Sequence, residues 1–154
     1  NAKKIPLKRT EIISVFYDKQ PTYHPQMRKC LPHERNHSRG KQINDQTNRC
    51  YGNFGKAEDI ITDEKYPTDI VVFQRNVHDS FHPTQKPVAL IQYLIRTYSN
   101  EGDTILDNCG WSGTTAIAAI REKRHFILFE KDPIYWGKSV KRVEQELRKL
   151  TFDF

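Results

Sequence analysis

Residues 81–132 read FHPTQKPVALIQYLIRTYSNEGDTILDNCGWSGTTAIAAIREKRHFILFEKD, and this stretch decides the fold. Two short apolar runs within it, 104–106 and 126–129, are each followed by an acid, Asp107 and Glu130. A Gly/Ser/Thr turn lies between them and opens a helix that carries Ala116, Ile117, Ala119 and Ile120. Strand, turn, helix and strand in that order predict a βαβ unit. Its small-molecule site then falls at the carboxyl ends of the strands.

The chemistry of such a unit follows from its residue types. A Gly-containing turn lets backbone N–H groups approach a ligand, and the helix N-terminus behind it favours a carboxylate or phosphate. Glu130, after the second strand, is placed to accept hydrogen bonds from both hydroxyls of a ribose. A P-loop is excluded, because Thr114 rather than Lys follows Gly113. The dinucleotide fingerprint G-x-G-x-x-G is absent as well. Spacing alone leaves open an ordinary βαβ unit whose glycine only makes the turn.

Two motifs in sequence narrow this choice. His82-Pro83-Thr84-Gln85-Lys86-Pro87-Val88 is followed about twenty residues later by Leu106-Asp107 and Ser112-Gly113-Thr114-Thr115. That order resembles the β class of DNA amino-methyltransferases, in which H-P-T-Q-K-P precedes a D-P-F-x-G-S-G-T-T cofactor turn. Glu11-Ile12-Ile13-Ser14-Val15-Phe16 is similar to the family's H-E-x-I-L-V-F strand, with Thr10 in place of His. Tyr23-His24-Pro25-Gln26-Met27 and Tyr66-Pro67-Thr68-Asp69-Ile70 also resemble family segments. The resemblance implies an α/β, Rossmann-like S-adenosylmethionine-dependent methyltransferase fold. It also implies methyl transfer to the exocyclic amino group of adenine, or less often cytosine, in double-stranded DNA, with the target base flipped out of the duplex.

Residue by residue, the resemblance implies that His82, Thr84 and Lys86 line the cofactor's methionine end. Asp107 would orient the cofactor turn or the amino group, with Cys109 beside it, and Ser112, Gly113 and Thr114 would cradle the carboxylate. Glu130 would hold the ribose, and Lys131 and Asp132 would border the adenine. Two departures stand out. The family has Gly where this chain has Trp111, so the indole is expected to swing outward while Gly110 absorbs the bend. The family also holds the amine with D-P-P-Y, whose ring stacks on the flipped base. No Pro-Pro pair occurs in these 154 residues. The sheet is therefore expected to be incomplete and the chain alone inactive, its catalytic motif coming from an upstream segment or a second chain. The rival reading is a degenerate DNA-binding module that kept the scaffold and lost the cofactor site.

Composition sets outer bounds. The length of 154 residues suits one thin core, with 29% charged and 36% hydrophobic residues. A net charge of +6 favours a polyanionic partner. No apolar run approaches the ~20 residues of a membrane span, and no secretory signal is evident after Asn1-Ala2-Lys3-Lys4. A cytoplasmic protein is expected, with no membrane partner. The absent initiating Met suggests a fragment or a processed piece. Cys30, Cys50 and Cys109 do not suggest a disulfide framework in such a setting. Cys30, His33, His37 and Cys50 offer a zinc spacing, but isolated Cys/His matches without paired knuckles are weak, and no metal is expected.

Two parts follow: 1–80, the end of the catalytic sheet with a basic target-recognition region, and 81–154, the cofactor-binding βαβ unit with flanking helices. In the first, 11–17 reads as a buried strand. Residues 19–53 have almost no apolar periodicity and carry Arg28, Lys29, Arg35, Arg39, Lys41 and Arg49 with His24 and Tyr23 among them. Taken with the resemblance, that composition suits contact with DNA phosphates and bases; by itself it describes a solvated loop. A short strand is expected at 70–73. Thr84 is a candidate N-cap with Pro87 in the first turn, ahead of an apolar face of Val88, Ile91, Leu94, Ile95 and Tyr98. Trp136, Val140, Val143, Leu147 and Leu150 predict a last amphipathic helix covering the sheet.

Overall fold

The computed structural model describes residues 10–30, 63–74 and 84–152. Seven elements follow in chain order: β1 (Arg28–Lys29), β2 (Glu64–Lys65), α1 (Val88–Tyr98), β3 (Thr104–Asp107), α2 (Thr114–Arg121), β4 (His125–Leu128) and α3 (Pro133–Phe152). Strands β3 and β4 pair in parallel, Thr104 with His125 through Asp107 with Leu128, and α2 is their crossover. This is the expected βαβ unit, with strand ends one residue from the expected ones. Among the described residues the architecture is α/β and Rossmann-like, with an incomplete sheet.

Helix α1 begins later than Thr84 would have it. Pro87 is the N-cap, in an extended conformation with φ −60° and ψ 134°. A proline disfavours helical geometry in the residue before it, so Lys86 cannot continue the helix upstream. The carbonyl of Pro87 then accepts from the amides of Leu90 and Ile91. At the other end, Ser99 donates through both its amide and its hydroxyl to the Ile95 carbonyl, at 3.0 and 2.6 Å.

Small residues on α2 set the packing. Ala116, Ile117, Ala118 and Ala119 are buried, and Ile95, Ala118 and Ala119 form the core with Val88, Ile91, Ile105 and Phe126 against them. Alanines let α1 and the sheet approach α2 closely, and full burial of a residue such as Ile117 contributes about 1.5–3 kcal/mol. Helix α2 ends in a Schellman arrangement: the Arg124 amide donates to Ala119 and the Lys123 amide to Ile120. Lys123 takes the left-handed position, φ 57°, where glycine is commoner. Arg124 then joins the ends of two helices, donating to the Ser99 hydroxyl and carbonyl and to the Glu122 carbonyl.

Several expectations change. Residues 11–17 and 70–73 form no strand; Ile12, Phe16 and Val72 are 93%, 90% and 87% exposed. An extended apolar run becomes a strand only when a neighbour supplies ladder hydrogen bonds, and among the described residues none does so here. Tyr23 and His24, both exposed, also take a part in the fold that the sequence did not show. The His24 amide donates to Thr97, its ring bonds Asn100 at 2.9 Å, and Tyr23 packs on Tyr98, so this segment docks on the C-terminal end of α1. Helix α3 packs on α2 rather than on the sheet. Among its described side chains Ser139 and Glu146 are the buried ones, while Trp136 and Leu147 stay about half exposed. Among the described residues, no helix is long and apolar enough to cross a membrane.

Candidate cofactor site

Asp107 and Glu130 organise the loops that follow the two strands. One oxygen of Asp107 accepts from the Cys109 amide at 2.9 Å and the other from the Thr115 hydroxyl at 2.6 Å, so this carboxylate ties both ends of the turn. Glu130 reaches across to the same turn: one oxygen accepts from the Trp111 amide and the other from the Asp132 amide, both at 2.7 Å. Each carboxylate oxygen can accept a second hydrogen bond, so a ligand hydroxyl can still approach.

The bend falls elsewhere than expected. Trp111 itself adopts φ 43° and Gly113 φ 70°, while Gly110 stays out of the left-handed region. Gly110 is held by a different demand. A Cβ there would lie 2.4 Å from Cγ of Leu128, and its amide donates to the Phe129 carbonyl. Strand β4 therefore occupies the space that a side chain would need, and the strain moves one residue on. The indole does point outward, 46% exposed, and packs on Tyr135 with ring centroids 6.3 Å apart.

Helix α2 starts at the turn with Gly113 as a left-handed N-cap and no side-chain cap. Thr114 and Ser112 are buried, and their hydroxyls are 2.9 Å apart. The first amides of such a helix have no intrahelical partner, and its dipole favours an anion there. Beside the turn lies a cavity of about 540 Å³ lined by Asn108, Cys109, Trp111, Phe129, Glu130, Lys131, Asp132, Pro133 and Tyr135. Aromatic and proline faces with the carboxylates of Glu130 and Asp132 at their edge suit a flat heterocycle joined to a diol.

The structure thus gathers Asp107, Cys109, Glu130, Lys131 and Asp132 at one end of the unit, with Ser112, Gly113 and Thr114 in the adjoining turn. Asp132 also serves the fold directly, because it caps α3. Its side chain accepts from the Ile134 and Tyr135 amides at 2.8 and 3.1 Å, with Pro133 in the first turn. Lys86 is not brought to this cavity. It forms an ion pair with Glu11 and lines a separate groove of about 820 Å³ with Arg121, Lys138, Lys141 and Arg142. Thr84 lies in the turn before α1, and His82 falls outside the described residues. Of the basic residues, Arg28 and Lys29 form β1, antiparallel to β2; Arg35, Arg39, Lys41 and Arg49 fall outside the described residues. So do His33, His37 and Cys50, while Cys30 is buried; no described cluster of three or more His, Cys, Asp or Glu could hold a metal.

Sequence reasoning did not read the aromatic residues as walls of a cavity: Trp111 stood as a departure from the family pattern, Phe129 as the end of an apolar run, and Tyr135 carried no signal of its own. It also passed over Ser139 and Arg142. Their spacing with Glu146, three then four residues, was a legible polar stripe on α3.

A parallel βαβ unit with an acid at the end of one strand and another just past the other, and a glycine turn on a helix N-terminus, is the arrangement that nucleoside-cofactor-binding units of Rossmann type share. The comparisons with known proteins are specific: the model of the N6/N4 DNA methylase family matches residues 1–141, and the chain belongs to that family. It is 48% identical over 63 residues to the type II methyltransferase M.BglI of Bacillus subtilis, covering 41% of this chain and 18% of that protein. It is 43% identical over 65 residues to the type II methyltransferase M2.DpnII of Streptococcus pneumoniae, covering 42% and 24%. The chain spans less than a quarter of the length of either relative. Among solved structures it is similar to the M1.HpyAVI–SAM complex, at 34% identity over 48% of this chain and 36% of that one, with a TM-score of 0.44. The PvuII DNA methyltransferase, described as cytosine-N4-specific, is 27% identical over 49% and 31%, with a TM-score of 0.46.

Proposed function

We propose that this chain is the S-adenosylmethionine-binding part of a site-specific, cytoplasmic DNA methyltransferase acting on an exocyclic base amine, adenine in the first place. The observation that carries the reading is the cavity between the two strand ends, where aromatic walls meet the Glu130 carboxylate beside the uncapped start of α2. Those features fit the parts of the cofactor separately. Trp111, Phe129, Pro133 and Tyr135 offer apolar faces to a purine, Glu130 offers acceptors to the ribose, and the turn offers a positive end to the carboxylate. Bound there, the cofactor supplies a methyl group activated by a sulfonium. Asp107 keeps the turn closed, and Lys131 and Asp132 border the cavity. Arg28 and Lys29, with Arg35, Arg39, Lys41 and Arg49, supply positive charge for double-stranded DNA. The group that holds the target amine comes from an upstream segment or a second chain.

Calorimetric titration of the folded chain with S-adenosylhomocysteine tests this. Saturable binding is expected, weakened about tenfold by Glu130→Ala, the scale of hydrogen bonds to a charged group. A folded chain that does not bind would favour a degenerate DNA-binding module instead. One observation speaks for that rival: Trp111 occupies a left-handed backbone position in the cavity wall.

A further inference from the structure

We propose that Arg142 of α3 is a positioning residue for the cofactor turn, acting from behind it on the peptide between Ser112 and Gly113. This rests on the reading of that turn as a cofactor site. One guanidinium nitrogen of Arg142 donates to the Ser112 carbonyl at 2.8 Å and to the Thr114 hydroxyl at 3.2 Å. On the far side of the same peptide, the Gly113 amide donates to the Gly110 carbonyl at 2.7 Å. A trans peptide is planar, so its carbonyl and amide point in opposite directions and cannot turn independently. With both ends bonded, the plane is fixed. Rotation of this peptide would redirect the amides that begin α2, the groups able to meet an anion.

The rest of α3 supports the same assignment. A Cβ on Gly113 would lie 3.1 Å from Cβ of Ser139, so the turn already rests on α3. Thr114 is buried, and its hydroxyl bonds both Arg142 and the Ser112 hydroxyl, so the guanidinium closes a network of buried polar atoms. A cation at this place also adds to the positive end of α2. The neighbouring Arg121–Glu146 pair at 2.5 Å links α2 to α3 one turn further on without touching residues 110–114. Arg142 positions the turn; Arg121 only joins two helices.

That contrast supplies the test. Arg142→Ala, Arg142→Lys and Arg121→Gln are compared for S-adenosylhomocysteine affinity by calorimetry and for exchange of the Gly113 amide by NMR. Arg142→Ala is expected to weaken binding about tenfold and to speed Gly113 exchange, with Arg142→Lys restoring part of both. Arg121→Gln is expected to lower the melting temperature while leaving affinity and Gly113 exchange as in the parent chain. Gly113 exchange unchanged in Arg142→Ala would overturn the assignment whether or not the chain binds the cofactor. Equal weakening by Arg121→Gln and Arg142→Ala would also overturn it, because a general loss of helix packing would then explain both. Faster Gly113 exchange in a chain that never binds would leave Arg142 as the brace of the turn and remove the cofactor reading instead.

Discussion

Gly110 and Trp111 show how one residue's constraint sets its neighbour's. Family resemblance singled out the indole as the misfit, and local reasoning gave the bend to the glycine before it. The structure reverses the assignment, because Leu128 of β4 fills the place of a Gly110 side chain. The whole branched end of Leu128 is involved, with Cγ and both methyls 2.4–2.8 Å from a Gly110 Cβ, so rotation about χ2, which leaves Cγ in place, does not clear it. Gly110→Ala is therefore expected to destabilise the chain by about 1–3 kcal/mol, the ordinary range for overpacking. A thermal or urea melt of that variant checks it. Equal stability would mean that β4 yields easily and that Gly110 is free to take the bend after all. Sequence could not reveal this, since it shows which residue is a glycine but not which distant side chain lies against it.

Helices α2 and α3 are joined by a polar pair that the apolar stripe in the sequence does not display. Glu146 is buried and accepts from Arg121, while Trp136 and Leu147 remain half exposed. The hydrogen bond from Arg121 is the main cause that holds the Glu146 carboxyl below its ordinary value; burial opposes it, and the charges of Arg121 and Lys149 assist. The same contact raises Arg121, so both partners agree in direction. A carboxyl with a lowered folded pKa contributes stability that is complete above its ordinary range. That contribution is lost as pH falls through the lowered folded value. Parent and Glu146→Gln chains should therefore differ in melting temperature near neutral pH, and the gap should close as the medium is acidified below about 4.5. A gap that stays constant through acid pH would show that the pair contributes nothing through charge. The helix itself was legible from its three-and-four spacing. Which face it buries was not, because Ser139 opposite Gly113 and Arg121 opposite Glu146 are matches between elements, invisible to periodicity within one.

At the scale of the molecule, local signals were sufficient where the chain closes on itself and insufficient where it needs a neighbour. The unit β3–α2–β4 was legible because strand, turn and helix are consecutive and their partners lie within about 25 residues. Residues 11–17 and 70–73 carry strand-like composition, yet they stand in no ladder among the described residues, since composition names no partner. The far face of the small sheet tells the same story: Leu106 and Ile127 are 64% and 49% exposed. Apolar strand positions of this kind are ordinarily covered, and exposed edges are an aggregation hazard. The same unfinished sheet bears on activity. Transfer to an exocyclic amine needs groups that hold its hydrogens and a ring that stacks on the base, and no Pro-Pro pair exists in the sequence to furnish the family's version. The chain alone is thus expected to bind S-adenosylhomocysteine but to move no labelled methyl from S-adenosylmethionine into DNA above background. Turnover by the isolated chain would mean that some other part of these 154 residues holds the amine. Labelled DNA digested to nucleosides would then show whether N6 of adenine or N4 of cytosine had received it.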